Sequence, residues 1–243
     1  MKKEILVIGD SCRDVYVYCD TNRLAPDVPV PVLNVLYQNE NGGMASNVFR
    51  NIQPRVQGSK LLTNDNWYSI TKTRYVHKLT NHTFFRVDST QEIKRINLDL
   101  IDFEYEIIVI SDYDKGFLLE EDIQFICENH PNVFIDSKKI LGPWASKSKF
   151  IKINNYEYKR SSKFITKDLE DKIVCTTGEN GCIYKGKNYP VKKVNVIDVS
   201  GAGDSFMAGL TVKFLQTKDI EKSIKFANEC SSKVVQYPGV TIF

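Results

Sequence analysis

The segment Asp198-Val-Ser-Gly-Ala-Gly-Asp-Ser-Phe-Met-Ala-Gly209 places a turn of small residues directly before a helical pattern that begins at Asp204. Small residues allow backbone N–H groups to approach an anion closely, and the first turn of a helix adds unpaired N–H groups and a positive dipole end. Asp204 puts a carboxylate inside this turn, where it is useful if it can accept a proton. The segment therefore predicts a phosphate cradle with a built-in base, as phosphoryl transfer requires. The same spacing also fits an ordinary glycine-rich turn in which Asp204 is only the helix N-cap.

Length and composition are those of an ordinary globular α/β protein. The chain has 243 residues, of which 42% are hydrophobic and 26% charged, and its formal net charge is +3. The small net charge, without interleaved basic and aromatic residues, argues against a nucleic-acid partner. No apolar run is long enough to span a membrane, and residues 4–8 are too short for the core of a signal peptide. We therefore expect a cytoplasmic protein with no nucleic-acid and no membrane partner.

The six cysteines show no spacing typical of a metal site or of a redox pair. No Cys-x-x-Cys occurs, and the three histidines add no ligand pattern. We expect reduced cysteines and no structural metal ion.

Apolar strands and amphipathic helices alternate along most of the chain, which predicts a mostly parallel sheet covered by helices. Core strands are predicted at Ile5–Ile8, Ile107–Ser111, Val133–Asp136, Phe150–Ile153 and Ile173–Thr176. Helices are predicted at Met44–Ile52, Gln91–Leu100, Leu119–Glu128, Asp204–Gln216 and Ile220–Gln236. The pattern indicates one α/β folding unit without internal repeats.

Two segments interrupt this alternation of strands and helices. Residues 14–40 and residues 73–88 alternate between apolar and polar side chains, with several prolines inside the first segment. This alternation predicts antiparallel strands that stand apart from the main sheet as a small β flap. An edge extension of the main sheet without a lid function fits the same pattern.

Polar and glycine residues occur near the first strand and the first helix, where a ligand could bind. Asp10 and Asp14 follow the first strand, and open α/β sheets bind ligands at the carboxyl ends of their strands. Two carboxylates there suit the hydroxyl groups of a polyol, although Asp10 could cap a turn and Asp14 could be solvated. Gly42 and Gly43 would let a ligand approach the backbone, with Asn47 one turn further on to hydrogen-bond a hydroxyl group. The pair of glycines also fits a simple helix start.

Further candidates follow two later core strands. Lys115, after the strand Ile107–Ser111, could hold a phosphate group or could lie exposed in a turn. Asn154 and Glu157, after the strand Phe150–Ile153, could hold Mg²⁺ through its waters beside a phosphate. Such a carboxylate–amide pair is also common by chance.

The strand Ile173–Thr176 is followed by a candidate nucleotide contact and by a false P-loop. Thr177 and Gly178 could hydrogen-bond nucleotide phosphates. Residues 181–188 nearly match a P-loop, but Asn188 replaces the Ser or Thr that would bind Mg²⁺, and the flanks favour a hairpin. The Rossmann Gly-x-Gly-x-x-Gly pattern is absent, which disfavours a dehydrogenase.

The order of these segments resembles that of the ribokinase-like (PfkB) carbohydrate kinases. The segment from Asp198 to Phe206 resembles their C-terminal signature, and Gly42-Gly43 with Asn47 resembles their N-terminal signature. Within the family the chain is most similar to the D-glycero-β-D-manno-heptose 7-phosphate kinase domain of the bifunctional enzymes of ADP-heptose synthesis. That similarity is carried by Gly9-Asp10, Asp14, Tyr16, Tyr18, Arg23, Pro26, Val28-Pro-Val-Pro-Val32, Arg86-Val-Asp88, Ser111-Asp-Tyr113, Lys115-Gly116, Asp136-Ser-Lys138, Asn154 with Glu157, and Phe226-Ala-Asn228.

The resemblance implies a fold, two cofactors and a set of residue roles. The fold would be a three-layer α/β arrangement with a mostly parallel central sheet flanked by helices and a small β-strand lid from segments 14–40 and 73–88. ATP and Mg²⁺ would be required, Asp204 would be the base, and the amides of Gly201, Ala202 and Gly203 would form the anion hole. The sugar phosphate would be held by Asp14, Gly42, Gly43, Asn47, Arg86 and Lys115, the nucleotide by Thr177, Gly178 and Asn228, and Mg²⁺ by Asn154 and Glu157 through water.

The chain departs from the family pattern after residue 64. Only a short segment leads from there to Lys72, where family members continue through a further helix and strand. We therefore expect residues 1–243 to form a single kinase domain that is shortened at this point. The lid implies a homodimer. No segment resembles the nucleotidyltransferase domain of the bifunctional enzymes, so we expect a separate nucleotidyltransferase to act downstream.

The sequence thus favours an ATP-dependent kinase that phosphorylates a heptose 7-phosphate at its anomeric hydroxyl group, a step towards ADP-heptose. A kinase for another sugar or for a nucleoside is the alternative within this class. A shortened pseudokinase that binds a sugar phosphate or a partner without catalysis is the second hypothesis. A dehydrogenase is a distant third.

Overall fold

The protein is built from two β-sheets and six α-helices, seen in a computed structural model that describes residues 2–89 and 91–243. The strands are β1 (Ile5–Gly9), β2 (Ser11–Asp20), β3 (Asn34–Met44), β4 (Ser59–Leu62), β5 (Thr71–His77), β6 (Thr83–Asp88), β7 (Ile107–Asp112), β8 (Val133–Ser137), β9 (Phe150–Asn154), β10 (Ile173–Thr176), β11 (Cys182–Tyr184) and β12 (Lys187–Tyr189). The helices are α1 (Ala45–Ile52), α2 (Glu120–Asn129), α3 (Asn155–Ser161), α4 (Lys167–Glu170), α5 (Ala202–Thr217) and α6 (Ile220–Val234). All five predicted core strands form, each within one residue of its predicted ends.

The main sheet has the strand order β12-β11-β10-β9-β8-β7-β1-β4. Neighbours from β10 to β4 pair in parallel, whereas the hairpin β11–β12 adds two antiparallel strands at one edge. Parallel neighbours require crossover connections, and these connections place helices on both faces of the sheet. The carboxyl ends of β1, β7, β8 and β9 therefore meet along one edge.

Two apolar clusters, one on each face of the main sheet, make this a three-layer fold. Strand residues of one face, such as Phe134, pack with residues of α1, α5 and α6. The opposite face packs against α2 and the segments around it. Such strands are continuous apolar runs because both faces are buried. The predicted fold class, a mostly parallel sheet flanked by helices, is confirmed.

The small sheet consists of β2, β3, β5 and β6 in the order β3-β2-β5-β6. β2 pairs antiparallel with β3 and β5 pairs antiparallel with β6, but β2 and β5 are parallel. The expectation of purely antiparallel pairing is therefore wrong. α1 and β4 lie between β3 and β5 in the chain, and this crossover returns the chain to the end of the sheet at which β2 starts.

The helix predicted at Gln91–Leu100 does not form. Residues 91–97 are irregular, and only Leu98–Leu100 make a short 3₁₀ turn. Ile93 and Ile96 have helical spacing because both are buried in the core, but the amide of Ile96 donates to the carbonyl oxygen of Phe117 rather than to a helical partner. Tertiary contacts produced the periodicity that suggested a helix.

The false P-loop at residues 181–188 is a hairpin, as predicted. β11 and β12 pair antiparallel, and Lys185 and Gly186 between them have φ angles of 48° and 71°. Positive φ at both central residues is the geometry of a type I′ turn. This segment therefore has no phosphate-binding loop.

Two further expectations from the sequence concern reduced cysteines and membrane-spanning segments. All six cysteines are free and buried. Among the described residues, no helix is both long enough and apolar enough to cross a membrane.

We predict that Phe134→Ala lowers the free energy of unfolding by about 3–5 kcal/mol, because it removes a fully buried ring from the core under α5. The Phe134 ring packs against Phe150 and Phe214 with centroid distances of 5.2 and 5.3 Å. Urea unfolding followed by circular dichroism measures the change.

Phe164→Ala is the matched control, because Phe164 is 54% exposed. It should change the free energy of unfolding by less than about 0.5 kcal/mol, the usual range for surface positions. Equal losses in the two variants would contradict the assignment of Phe134 to the core.

Candidate active site

The glycine-rich turn lies at the N-terminus of α5. Gly201 has φ 76°, a left-handed conformation that favours glycine, and α5 starts at Ala202. Gly201 is therefore the N-cap, and Asp204 lies inside the first turn, which excludes the interpretation of Asp204 as an ordinary cap. Ala202 N–H donates to the carbonyl oxygen of Val199 at 3.2 Å. Within the described residues no acceptor is found for the N–H groups of Gly201 and Gly203.

The carboxylate of Asp204 is buried and has one donor on each oxygen. The hydroxyl group of Tyr113 donates to Oδ1 at 2.6 Å, and Nδ2 of Asn47 donates to Oδ2 at 2.8 Å. Burial raises the pKa of Asp204, while the hydrogen bonds from Asn47 and Tyr113 act in the opposite direction. The result is a carboxylate that is positioned by two donors and more basic than an exposed aspartate.

The two donors come from different parts of the chain. Asn47 lies on α1, and Tyr113 lies in the loop after β7. Asp10 holds that loop, because its carboxylate accepts from the N–H groups of Tyr113 at 2.7 Å and Phe117 at 3.3 Å. Burial and the neighbouring Asp112 raise the pKa of Asp10 to about 6. The alternative that Asp10 caps a turn is therefore the correct one.

Two lysines and two carboxylates lie next to the turn. Lys152 is buried on β9, and a side chain added at Gly203 would lie 2.9 Å from its ammonium nitrogen. Lys152 pairs with Asp136 at 2.7 Å, and Lys138 pairs with Glu157. Although burial alone would lower the pKa of Lys138, Asp136 and Glu157 raise it. The ammonium group of Lys138 therefore stays charged beside the turn.

Asn154 and Glu157 form a reciprocal capping box at the start of α3. Oδ1 of Asn154 accepts from the N–H group of Glu157 at 2.9 Å, and Oε2 of Glu157 accepts from the N–H group of Asn154 at 2.8 Å. These bonds occupy one lone pair on each oxygen and hold the pair rigidly.

The predicted sugar-binding residues lie in two places. Asp14 is buried on β2, where its Oδ1 accepts from Arg74 at 2.9 Å, so it is not solvated. Gly43 lies directly against it, because a side chain there would approach Oδ2 of Asp14 to 2.3 Å. One N–H of the Asn47 side chain donates to Asp204 and positions that carboxylate, and the amide nitrogen has a second N–H for a hydroxyl group. Gly42 lies beside Ser46 on α1.

Among the described residues, neither Arg86 nor Lys115 hydrogen-bonds to the carboxylate of Asp204, whose donors are Asn47 and Tyr113. Arg86 is half-exposed on β6 and pairs with Asp88 at 2.8 Å. Lys115 is exposed in the loop after β7 and lines a cavity together with Lys72 of β5.

A cavity of about 550 Å³ lies beside the anion-binding turn. Gly178, Asn228 and Gly203 line it, and valines such as Val194 and Val235 form an apolar wall. The hydroxyl group of Thr177 donates instead to the carbonyl oxygen of Gly181 at 3.1 Å, and Thr177 is not among the lining residues. The hydroxyl group of Thr177 thus already has a partner within the turn, and its contact with a nucleotide phosphate stays a prediction.

Tyr113, Lys138 and Lys152 are site residues to which sequence reasoning assigned no role. Lys152 carried a usable signal, because a charged residue in the buried strand Phe150–Asn154 needs a specific partner. Tyr113 follows a core strand at its carboxyl end, but no spacing pattern connects it to Asp204. In the described ranges, no group of three or more His, Cys, Asp and Glu side chains is placed to hold a metal ion.

A buried carboxylate next to an anion-binding turn, at the carboxyl edge of a parallel sheet, defines a phosphotransferase that acts on an alcohol group. Comparisons with known proteins agree with this class. Residues 128–243 match the model of the pfkB family carbohydrate kinases. The bifunctional protein HldE of Helicobacter pylori strain J99 is 29% identical over 298 aligned positions, which include 98% of this chain and 64% of that protein. The bifunctional protein HldE of a Nitratiruptor species is 27% identical, with 98% of this chain and 63% of that protein covered.

Solved structures show the same fold. A ribokinase from Thermotoga maritima has a TM-score of 0.73 at 18% identity, covering 98% of this chain and 94% of that one. Phosphofructokinase-2 from Escherichia coli has a TM-score of 0.71 at 14% identity, covering 100% and 95%. The pfkB match thus covers the C-terminal part of the chain, residues 128–243, and the chain spans about 64% of the length of the curated HldE relatives.

We predict that Tyr113→Phe destabilises the protein more at alkaline than at acidic pH. Because the folded-state pKa of Asp204 is raised, the stability that Asp204 contributes is highest at low pH and declines as the pH rises through that pKa. The hydroxyl donor of Tyr113 offsets part of this decline. Its loss should therefore lower the free energy of unfolding by roughly 1.5–3 kcal/mol when Asp204 is ionised, and by less when Asp204 is protonated. Urea unfolding over a range of pH measures the difference.

Tyr156→Phe is the control, since the side chain of Tyr156 is 69% exposed. It should give the same free energy of unfolding as the wild type at every pH. A loss in Tyr113→Phe that does not vary with pH would contradict a bond to the ionised carboxylate.

Proposed function

We propose that this kinase transfers the γ-phosphate of ATP to a hydroxyl group of a sugar phosphate, with the anomeric hydroxyl of D-glycero-D-manno-heptose 7-phosphate as the acceptor. The observation that carries the reaction type is the buried carboxylate of Asp204 beside the turn Gly201–Gly203. The motif resemblance supports the choice of heptose. Lys72 and Lys115, which line the cavity beside the small sheet, support a phosphorylated acceptor.

In this mechanism Asp204 accepts the proton of the acceptor hydroxyl as that oxygen attacks the γ-phosphate in line. Tyr113 and Asn47 hold the carboxylate, which leaves its remaining lone pairs for the acceptor. The N–H groups of Gly201 and Gly203, with Lys152 beside them, neutralise charge that develops on the transferring group. Closure of the small sheet over the acceptor would keep water from competing.

The cavity of about 550 Å³ is the proposed nucleotide site. Its apolar wall suits an adenine ring, and its inner end contains Gly203 of the anion-binding turn. Gly178 and Asn228 lie along it, although the side-chain amide of Asn228 already donates to the carbonyl oxygen of Tyr189 at 2.8 Å.

Asn154 and Glu157 fit Mg²⁺ through water rather than by direct coordination. Their side-chain oxygens already accept hydrogen bonds in the capping box, and Lys138 balances the charge of Glu157. Mg²⁺ commonly keeps several waters when it binds beside phosphates. When bound, the ion would neutralise charge on the β- and γ-phosphates.

Two alternatives remain within the proposal. A different sugar or a nucleoside could be the acceptor, since the solved relatives include a nucleoside kinase from Methanocaldococcus jannaschii. A non-catalytic pseudokinase is favoured by one observation, namely that the 298 aligned positions of the HldE match exceed the 243 residues of this chain. The relatives thus carry segments that this chain lacks, which fits the proposed shortening after residue 64. The complete set of Asp204, Asn154 and Glu157 favours catalysis.

The setting of the enzyme is part of the proposal. We infer a cytoplasmic homodimer joined through the small sheet, whose outer residues include the exposed Val35, Leu36 and Phe85. A nucleotidyltransferase activity would then use the product downstream.

We predict that Asp204→Asn lowers kcat by about 10²- to 10⁴-fold, because the amide cannot accept the proton of the acceptor. ADP release, measured over a panel of sugars, nucleosides and sugar phosphates that includes heptose 7-phosphate, tests this. The best acceptor in the panel identifies the substrate class.

Asp171→Asn is the control, because Asp171 is exposed at the end of α4. It should keep wild-type turnover. Equal trace activity of the wild type and of Asp204→Asn on every acceptor would overturn the kinase proposal in favour of the pseudokinase.

A further inference from the structure

A fully buried asparagine, Asn51, lies one helical turn beyond Asn47 on α1 and takes no part in the mechanism above. Its side chain carries two N–H donors and a carbonyl acceptor. Burying such an amide is costly unless its polar atoms find partners. The partners of Asn51 therefore show what this residue holds in place.

Two backbone groups fix the direction in which the amide of Asn51 points. Its Oδ1 accepts from the N–H group of Phe243 at 3.2 Å, and its Nδ2 donates to the carbonyl oxygen of Asn47 at 2.9 Å. A backbone N–H group can only donate and a backbone carbonyl can only accept, so a reversed amide would lose both bonds. The hydroxyl group of Ser205, the residue after Asp204 on α5, lies 3.5 Å from Oδ1 of Asn51 and adds a third contact.

The same nitrogen of Asn51 also faces the side chain of Asn47. Nδ2 of Asn51 lies 3.4 Å from Oδ1 of Asn47, and Nδ2 of Asn47 donates to Oδ2 of Asp204 at 2.8 Å. If the Asn47 amide were reversed, its nitrogen would face the donor of Asn51 and its oxygen would face Asp204. Asn51 therefore favours the orientation in which Asn47 donates to the carboxylate.

Packing holds the backbone of Phe243 against α1. The Phe243 ring is buried in the core cluster, where its centroid lies 6.0 Å from that of Phe226 and 4.1 Å from the guanidinium carbon of Arg55. Arg55 also donates to the carbonyl oxygens of Asn51 and Phe243. The N–H group of Phe243 is thus kept in place beside Oδ1 of Asn51.

We propose that Asn51 is a positioning residue, which keeps the amide of Asn47 as a donor to Asp204 whether or not that carboxyl group carries a proton. This role rests on the proposed function, in which Asp204 takes the proton of the acceptor. An ionised carboxylate orients Asn47 by itself, because it can only accept. A protonated carboxyl group can also donate, and an unrestrained Asn47 would turn its oxygen towards it and stabilise the protonated form. Asn51 opposes this turn and so keeps Asp204 available as a base.

Release of Asn47 should therefore raise the pKa of Asp204. Burial raises this pKa, and the hydrogen bond from Asn47 is the largest influence in the opposite direction. Among the described residues, the side chain of Asn51 hydrogen-bonds to none of the titratable groups that interact with Asp204. These groups are Cys12 of β2, Tyr113 after β7, Asp136 of β8, Lys138 after β8, and Lys152 of β9. A substitution of Asn51 thus changes none of their bonds directly.

The test follows the ionisation of Asp204 in Asn51→Leu, by NMR of protein labelled with ¹³C at its aspartate carboxyl groups and by the pH profile of kcat/KM. The pKa of Asp204 and the acidic limb of the profile should both move to higher pH by roughly one unit, as expected for a lost bond to a charged group. The variant should then have about tenfold lower kcat/KM on the acidic limb and nearly wild-type kcat/KM above it. A purely structural role would lower activity at every pH and leave the limb in place.

Two further variants complete the comparison. Asn129→Leu is the matched control, because the amide of the exposed Asn129 donates to a backbone carbonyl one turn earlier on α2, also at 2.9 Å. It should leave the pKa of Asp204 and the pH profile unchanged. Asn51→Thr provides the same test if Asn51→Leu does not fold. Its hydroxyl group can bond the carbonyl oxygen of Asn47, but it has no second hydrogen for Oδ1 of Asn47, so the shift should again be to higher pH.

A double-mutant cycle with Asn47→Ala shows whether Asn51 acts through Asn47. In the Asn47→Ala background, Asn51→Leu should shift the pKa of Asp204 no further. A full additional shift there, or an unchanged pKa in Asn51→Leu and Asn51→Thr, would overturn the positioning role. A shift seen by NMR without turnover of any acceptor would support this role and remove the kinase assignment. Turnover with an unshifted profile would support the kinase and overturn the role of Asn51.

Discussion

The burial of a carboxylate in the first turn of α5, beside Gly201–Gly203, is the constraint around which this molecule is organised. Burial raises the cost of the ionised form of Asp204, and only donors placed by the fold can offset it. Asn47 on α1 and Tyr113 after β7 supply these donors. The site therefore depends on three elements that have to pack together: α5, α1 and the loop after β7, which Asp10 holds.

The distribution of charge divides the site into two sides. Beside the turn, Lys152 and Lys138 are already paired with Asp136 and Glu157, so the charges are balanced before any nucleotide binds. At the small sheet Asp14 and Asp88 pair with Arg74 and Arg86. Lys72 lies in register between the two carboxylates, without an ion pair within 4.0 Å among the described residues.

Much of the fold could be predicted from the sequence, since a strand buried on both faces has to be apolar along its whole length. This pattern located all five predicted core strands, and the run of small residues before a helix located the turn at Gly201–Gly203. Helical periodicity was misleading at Gln91–Leu100, where Ile93 and Ile96 have helical spacing although they reach the core from an irregular segment. It also missed the parallel pairing of β2 with β5, because the direction of pairing depends on the crossover and not on alternation.

The sequence by itself determined local features. These are a turn that only small residues can make, a carboxylate three residues after Gly201, and an alternation of strands and helices that produces a parallel sheet. These follow from backbone sterics and from periodicity, which act over a few residues. The tertiary structure decided which side chains meet. It joined Asn47 to Asp204, Thr177 to Gly181 and Arg86 to Asp88, and it brought Tyr113 and Lys152 to the turn. Such contacts join residues far apart in the chain, and no spacing rule connects them.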